Sequence, residues 1–204
     1  MFYFLDSPAT LMLMLVIGLV TGYALNSRPD LTEKLAFRPR LVLSGKQYYR
    51  LGTAWLVHGG LGHLALNLFT LFAFGRYLEA LIGTPQFLAV FFGAELAANG
   101  LTLLMQKDSA SYGSVGASGA ISGVLFAYSL YRPMDYIYLF GVVPMPAWIF
   151  AVLFVGLSIA AMKKSGARGG IAHEAHLGGA LGGILITILL NPGVLGIFRG
   201  QMGF

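Results

Sequence analysis

Six long apolar runs, each closed by a proline, a glycine or a basic stretch, constrain this chain more than any other feature. Inside a bilayer every backbone N–H and C=O must be satisfied by the chain itself, and a run of roughly 20 apolar residues does this as a helix. The first run extends from about Pro8 to Leu25, with Ser7 placed to cap it and Pro8 in its first turn. The others lie at about Gly62–Leu81, Gln86–Met105, Ala117 to just before Arg132-Pro133, Pro146–Met162 and Ala172–Leu190, the last stopped by Asn191-Pro192. Between the first two runs, residues Asn26 to Leu51 are too polar to span. So long a loop in a tight chain points to a functional role. Its Leu35, Phe37, Leu41, Leu43, Tyr48 and Tyr49 place part of it in the membrane interface.

Composition supports an integral membrane protein. Of the 204 residues 57% are hydrophobic and 10% charged, against about a quarter charged in a soluble domain. No internal repeat, low-complexity tract or linker is evident, so residues 1–204 read as one all-α domain of six membrane helices. A net charge of +5 suits loops facing anionic headgroups, and the basic residues form no stripe that would take nucleic acid. Zero cysteines exclude disulfides, cysteine nucleophiles and thiolate metal sites. The first run lacks a preceding basic region and a small-residue cleavage site, and so reads as a retained helix and not a signal peptide.

Ionisable groups at membrane depth are costly and mark function. All four histidines fall in two pairs, His58/His63 and His173/His176, and Gly116-Ala117-Ser118-Gly119 heads the fourth run. A serine needs a base to become nucleophilic. Ser118, near a helix start, would also sit beside unpaired backbone N–H groups able to stabilise an oxyanion. A packing or capping serine is the bland alternative. His176 is the candidate base. It shares a helical face with Gly179 and Gly183, and Gly119/Gly123, Gly178/Gly182 and Gly179/Gly183 carry the small-residue spacing of close helix packing. His63 and Asn67, four apart, share a face and offer donors to a developing oxyanion; interhelical hydrogen bonding explains them equally well. Glu79 is expected in a structural hydrogen bond or ion pair, with Arg76 one partner. Glu95 has no partner legible in the sequence. Arg50 is placed to tie down the long loop through backbone carbonyls.

Taken together, these residues resemble the rhomboid intramembrane serine proteases. The resemblance rests on the long first loop, His58-x4-His63-x3-Asn67, Gly116-Ala117-Ser118-Gly119, Ala175-His176-Leu177-Gly178-Gly179 and the Tyr49-Arg50 pair. It implies a six-helix rhomboid bundle in a cell inner membrane and a Ser118–His176 dyad without a third acid. It implies an oxyanion hole from His63, Asn67 and the Ser118 N–H, a structural His58, and no cofactor or metal. Substrates would be transmembrane proteins admitted from the bilayer near the fifth helix, with the Lys163–Gly170 loop as a cap. Many members stack an aromatic, four residues after the nucleophile, on the catalytic histidine. Ser122 stands there, so either another side chain supports His176, with His173 or a residue of the second helix as candidates, or its ring is held less firmly and basal activity is low.

The resemblance puts the first and fifth loops outside, while Arg28, Lys34, Arg38, Arg40, Lys46 and Arg50 would by charge put the first loop inside. The two criteria point in opposite directions. A catalytically silent relative that binds membrane helices is the second reading, and retention of both Ser118 and His176 argues against it. A transporter would show symmetric, interrupted helices, and a zinc site would show HExxH where the chain has His173-Glu174-Ala175-His176.

Overall fold

The computed structural model describes residues 6–139, 142–164 and 172–204. Helix α1, Pro8–Asn26, follows Ser7, whose side chain makes no capping bond. The orphan donors of its first turn go instead to a carboxylate from elsewhere in the chain. Glu79 accepts from the Ala9 and Thr10 N–H groups at 2.9 and 2.8 Å and from the Thr10 hydroxyl at 2.8 Å. The Thr84 hydroxyl adds a fourth donor at 2.7 Å. Arg76, the partner expected for Glu79, lies instead over the Phe72 ring, 4.0 Å from its centroid.

The first loop folds into short helices, α2 (Pro29–Leu35) and α3 (Pro39–Leu43), and single 3₁₀ turns at Tyr48–Leu51 and Ala54–Leu56. Pro29 and Pro39 each open a helix, where the missing N–H costs nothing. Phe37 is fully buried, whereas Leu43, Tyr48 and Tyr49 are exposed, as an interfacial loop requires. Arg50 is buried and donates to the Glu33 and Ala36 carbonyls at 2.8 and 2.6 Å and to Gln47 Oε1 at 2.7 Å.

The second span runs Leu61–Ile82: α4 (Leu61–Thr70), a π-turn at Leu71–Gly75, and α5 (Arg76–Ile82). Helix α6 is Thr84–Gln106, α7 Ser118–Tyr131, α8 Ala147–Lys164, α9 His173–Leu190 and α10 Val194–Met202. A two-stranded antiparallel hairpin, β1 (Tyr136–Leu139) with β2 (Val143–Pro146), joins α7 to α8. The hairpin and α10 lie beyond the apolar runs and were not legible in them. Helix α1, the α4–α5 span, α6 and α9 are long and apolar enough to cross a membrane; α7 and the Ala147–Leu157 part of α8 are apolar but shorter. The result is a multi-pass helical membrane bundle. The expected cap, Lys163–Gly170, lies outside the described residues from residue 165 onward.

α7 is buried along nearly its whole length, between α6 and α9. The glycines allow this. A Cβ on Gly179 would overlap the backbone of Gly119, and one on Gly183 would overlap that of Gly123. The other pair on α9, Gly178 and Gly182, faces α6 at Ala94, Ala97 and Ala98. Each row of α9 thus serves a different neighbour.

Gly179→Ala is expected to push α7 from α9 and to lower stability by roughly 1–3 kcal/mol, the usual cost of overpacking. Gly156→Ala, at a position with open space around it, should leave the thermal midpoint unchanged. Equal midpoints for both variants in one lipid would refute the role given to this contact.

Candidate active site

Ser118 is the first residue of α7 and His176 lies in the first turn of α9. Their helices start at the same end of the bundle and pass in backbone contact. His176 Nε2 therefore reaches Ser118 Oγ at 2.8 Å. This is the only hydrogen bond of the His176 ring among the described residues.

The turn before Ser118 is shaped by its neighbours. Phe37 and Ser114 exchange backbone hydrogen bonds of 2.9 and 3.0 Å, and Gly116 N–H donates to the Ala54 carbonyl at 2.9 Å, so the first loop braces residues 114–116. Gly116 has φ +111°, and a Cβ there would strike the His63 ring. Only glycine meets both conditions.

His58 is wholly buried between this turn and α1. Ala117 N–H donates to its Nε2 at 3.4 Å, and its Nδ1 lies 3.1 Å from Thr21 Oγ1. The Thr21 hydroxyl in turn donates to the Leu56 carbonyl at 3.2 Å. One tautomer satisfies the whole row: neutral imidazole with its proton on Nδ1. Burial pushes the His58 pKa down to about 4, with the neighbouring His63 adding to the shift.

His63 packs edge-on against His58, ring centroids 5.0 Å apart, with its Nε2 side against Gly116, two residues before Ser118. Asn67 is buried, but its amide nitrogen donates back to the His63 carbonyl at 2.9 Å, and its Oδ1 has no partner. In this state the amide nitrogen is engaged by its own helix.

The support of His176 differs from the expectation. Ser122 donates to the Ser118 carbonyl at 2.7 Å and offers no ring. His173 stands edge-on, with 6.1 Å between ring centroids. The tilted aromatic neighbour of the His176 ring is Phe154 of α8, at 5.7 Å and 33°. Phe154 was missed in the sequence. Its only signal was Phe150/Phe154 at helical spacing in the fifth run, which equally suits lipid contact.

Glu79, expected in a structural hydrogen bond, lies in the far half of its span and holds the start of α1, away from this site. Glu174 accepts from Gln106 at 3.2 Å. No group of three or more metal-ligating side chains occurs among the described residues.

A membrane helix bundle that sets a serine hydroxyl against an imidazole at one end defines the class of protein. The Rhomboid domain model matches residues 45–193. The putative rhomboid protease YdcA of Bacillus subtilis (strain 168) is 32% identical over 149 residues, which is 73% of this chain and 70% of YdcA. Rhomboid protease GluP of the same organism is 28% identical over 156 residues, 76% of this chain and 29% of GluP. The human presenilin-associated rhomboid-like protein, mitochondrial, is 34% identical over 131 residues, 62% of this chain. The match spans about a third, 34%, of that mitochondrial protein. The chain belongs to the rhomboid family, which includes serine intramembrane proteases.

The depressed His58 pKa gives a signed pH effect. The unfolded chain takes up the extra proton between pH 6.5 and about 4, so the stability His58 confers is whole above that window and falls as pH drops through it. Thermal melts should show this slope in the wild type and a shallower one in His58→Gln, the other histidines being common to both. Identical slopes would refute the assignment.

Proposed function

We propose that this protein is an intramembrane serine endopeptidase of the cell inner membrane that cleaves transmembrane segments of other proteins. The observation that carries the reading is the 2.8 Å contact between Ser118 Oγ and His176 Nε2, placed where two helices begin. His176 Nε2 takes the Ser118 proton as Oγ attacks the scissile carbonyl, and an acyl-enzyme forms. His176 then gives that proton to the leaving amine and activates the water that frees the acid.

The oxyanion forms beside the start of α7, where the first N–H groups have no intrahelical partner and the helix dipole is positive. The Ser118 N–H and His63 are the donors nearest to hand. Asn67 joins them when its amide rotates off the His63 carbonyl, at the cost of that 2.9 Å hydrogen bond. Among the described residues no carboxylate hydrogen-bonds the His176 ring, and the Phe154 ring supplies the restraint that a carboxylate supplies in a triad.

Labelling with a fluorescent fluorophosphonate and cleavage of a transmembrane model substrate, both in lipid, test the reading. Wild type should label and cleave; Ser118→Ala and His176→Ala should each do neither while remaining folded. Asn67→Ala should lose less than the roughly 10²–10³ in rate that a committed oxyanion donor supplies. Undiminished cleavage by Ser118→Ala would overturn the dyad. Failure of folded wild type to label or cleave in lipid would favour a silent helix-binding relative.

A further inference from the structure

One buried ionisable group near the site has no part in the chemistry above. Glu95, in the middle of α6, is 3% exposed. A carboxyl there is tolerated only if donors surround it. Its Oε1 accepts from Asn99 Nδ2 at 3.0 Å, and its Oε2 accepts from the Ala120 backbone N–H at 3.3 Å. Ala120 lies two residues after Ser118, and its N–H is one of the orphan donors of the α7 start. Asn99 Nδ2 also donates to the Leu51 carbonyl at 2.9 Å, at the end of the Tyr48–Leu51 turn that carries Arg50. Glu95, Asn99, Ser118 and Gly119 all border one cavity of about 20 Å³. Glu95 Oε2 would stand 3.4 Å from a Cβ on Gly119.

An unbroken hydrogen-bonded row therefore links the first loop, α6 and the opening turn of α7: Leu51, Asn99, Glu95, Ala120. The same turn is held at Ala117 by His58 and at Ser118 by His176. Glu95 is its third restraint, and it comes from a different helix.

We propose that Glu95 is a positioning residue for the nucleophile. By taking the Ala120 N–H it fixes the rotation of the first turn of α7, and so the direction of the Ser118 N–H and the aim of Ser118 Oγ toward His176. Asn99 couples that setting to the first loop. This role rests on the protease reading of Ser118. A residue acting this way changes the chemical step and leaves substrate affinity alone, because it touches no substrate. The chemistry of the position also ranks its replacements. Leucine fills the volume and strands both the Ala120 N–H and the Asn99 amide. Glutamine keeps an acceptor for Ala120 but turns its own NH₂ toward Asn99.

The experiment uses the full chain in lipid and compares wild type with Glu95→Leu, Glu95→Gln and Asn99→Ala. It reads kcat and KM on a transmembrane peptide and the rate of fluorophosphonate labelling at Ser118. Glu95→Leu should lower kcat and the labelling rate together by roughly 10- to 100-fold, the scale of a small misplacement of reacting groups, with KM within about twofold. Glu95→Gln should recover most of the loss and Asn99→Ala should fall between them. A folded Glu95→Leu that labels as fast as wild type overturns the positioning role and leaves the protease reading standing. Should Glu95→Leu fail to fold, wild-type kcat in Asn99→Ala overturns the role, and a lowered kcat with unchanged KM supports it. A folded wild type that neither labels nor cleaves removes the protease reading and the positioning role with it.

Discussion

The contact between the glycine rows of α7 and α9 is the interaction on which the rest of this structure depends. Lipid is as apolar as a leucine side chain, so membrane helices gain little by hiding apolar surface from one another. They associate through close packing. Gly119 against Gly179 and Gly123 against Gly183 bring the two backbones to the limit that atoms allow. At that separation a serine at the start of one helix and a histidine in the first turn of the other meet at hydrogen-bond distance. Side chains at any of these glycines would separate the helices and with them Ser118 and His176.

A second constraint governs the polar groups. Every helix start leaves N–H donors unpaired, and a bilayer supplies no water for them. Two buried glutamates meet this need at two different helix starts. Glu79 gathers the first turn of α1 with two backbone and two hydroxyl donors. Glu95 takes one donor from α7 and one from Asn99. The difference is instructive. The α1 start is closed off almost completely, as suits a helix with only a packing role. At the start of α7 the Ala117 N–H goes to His58 and the Ala120 N–H to Glu95, and those of Ser118 and Gly119 between them have no such partner among the described residues.

Much of this was legible in the chain, for physical reasons. Six apolar runs mapped onto helices because backbone satisfaction in lipid permits little else, and Ser118 and His176 stood out because polar groups in such runs are rare. Arg50 sat where a loop needs carbonyl partners gathered. What could not be read was whatever depends on one helix meeting another. With Ser122 in place of an aromatic, support for His176 was sought at His173 or the second helix, and the ring beside it comes from Phe154 of the fifth run, which the sequence marked only as the substrate-entry side. Glu95 had no partner in sequence because its partners, Ala120 and Asn99, are backbone and amide groups that carry no charge signal. The same holds in part for Glu79, whose obvious local partner Arg76 turns to an aromatic face; Thr84 is a near donor, but the three from Ala9 and Thr10 lie about 70 residues away.

The histidines show how burial divides one residue type among different tasks. His58 is enclosed, and both of its nitrogens are committed, one to the Ala117 N–H and the other to Thr21. A proton on that ring would break a bond to the very turn that presents Ser118, so burial that keeps it neutral also keeps the turn in place. His63 leans on Gly116, and its ring excludes any side chain there. His176 alone has one nitrogen on the serine and, among the described residues, no second hydrogen bond on its ring. An imidazole that must accept a proton and give it back within one turnover needs that freedom. The restraint it receives is aromatic contact, which orients a ring without choosing its charge. That is the physical distinction between the histidine that builds this site and the histidine that would work in it.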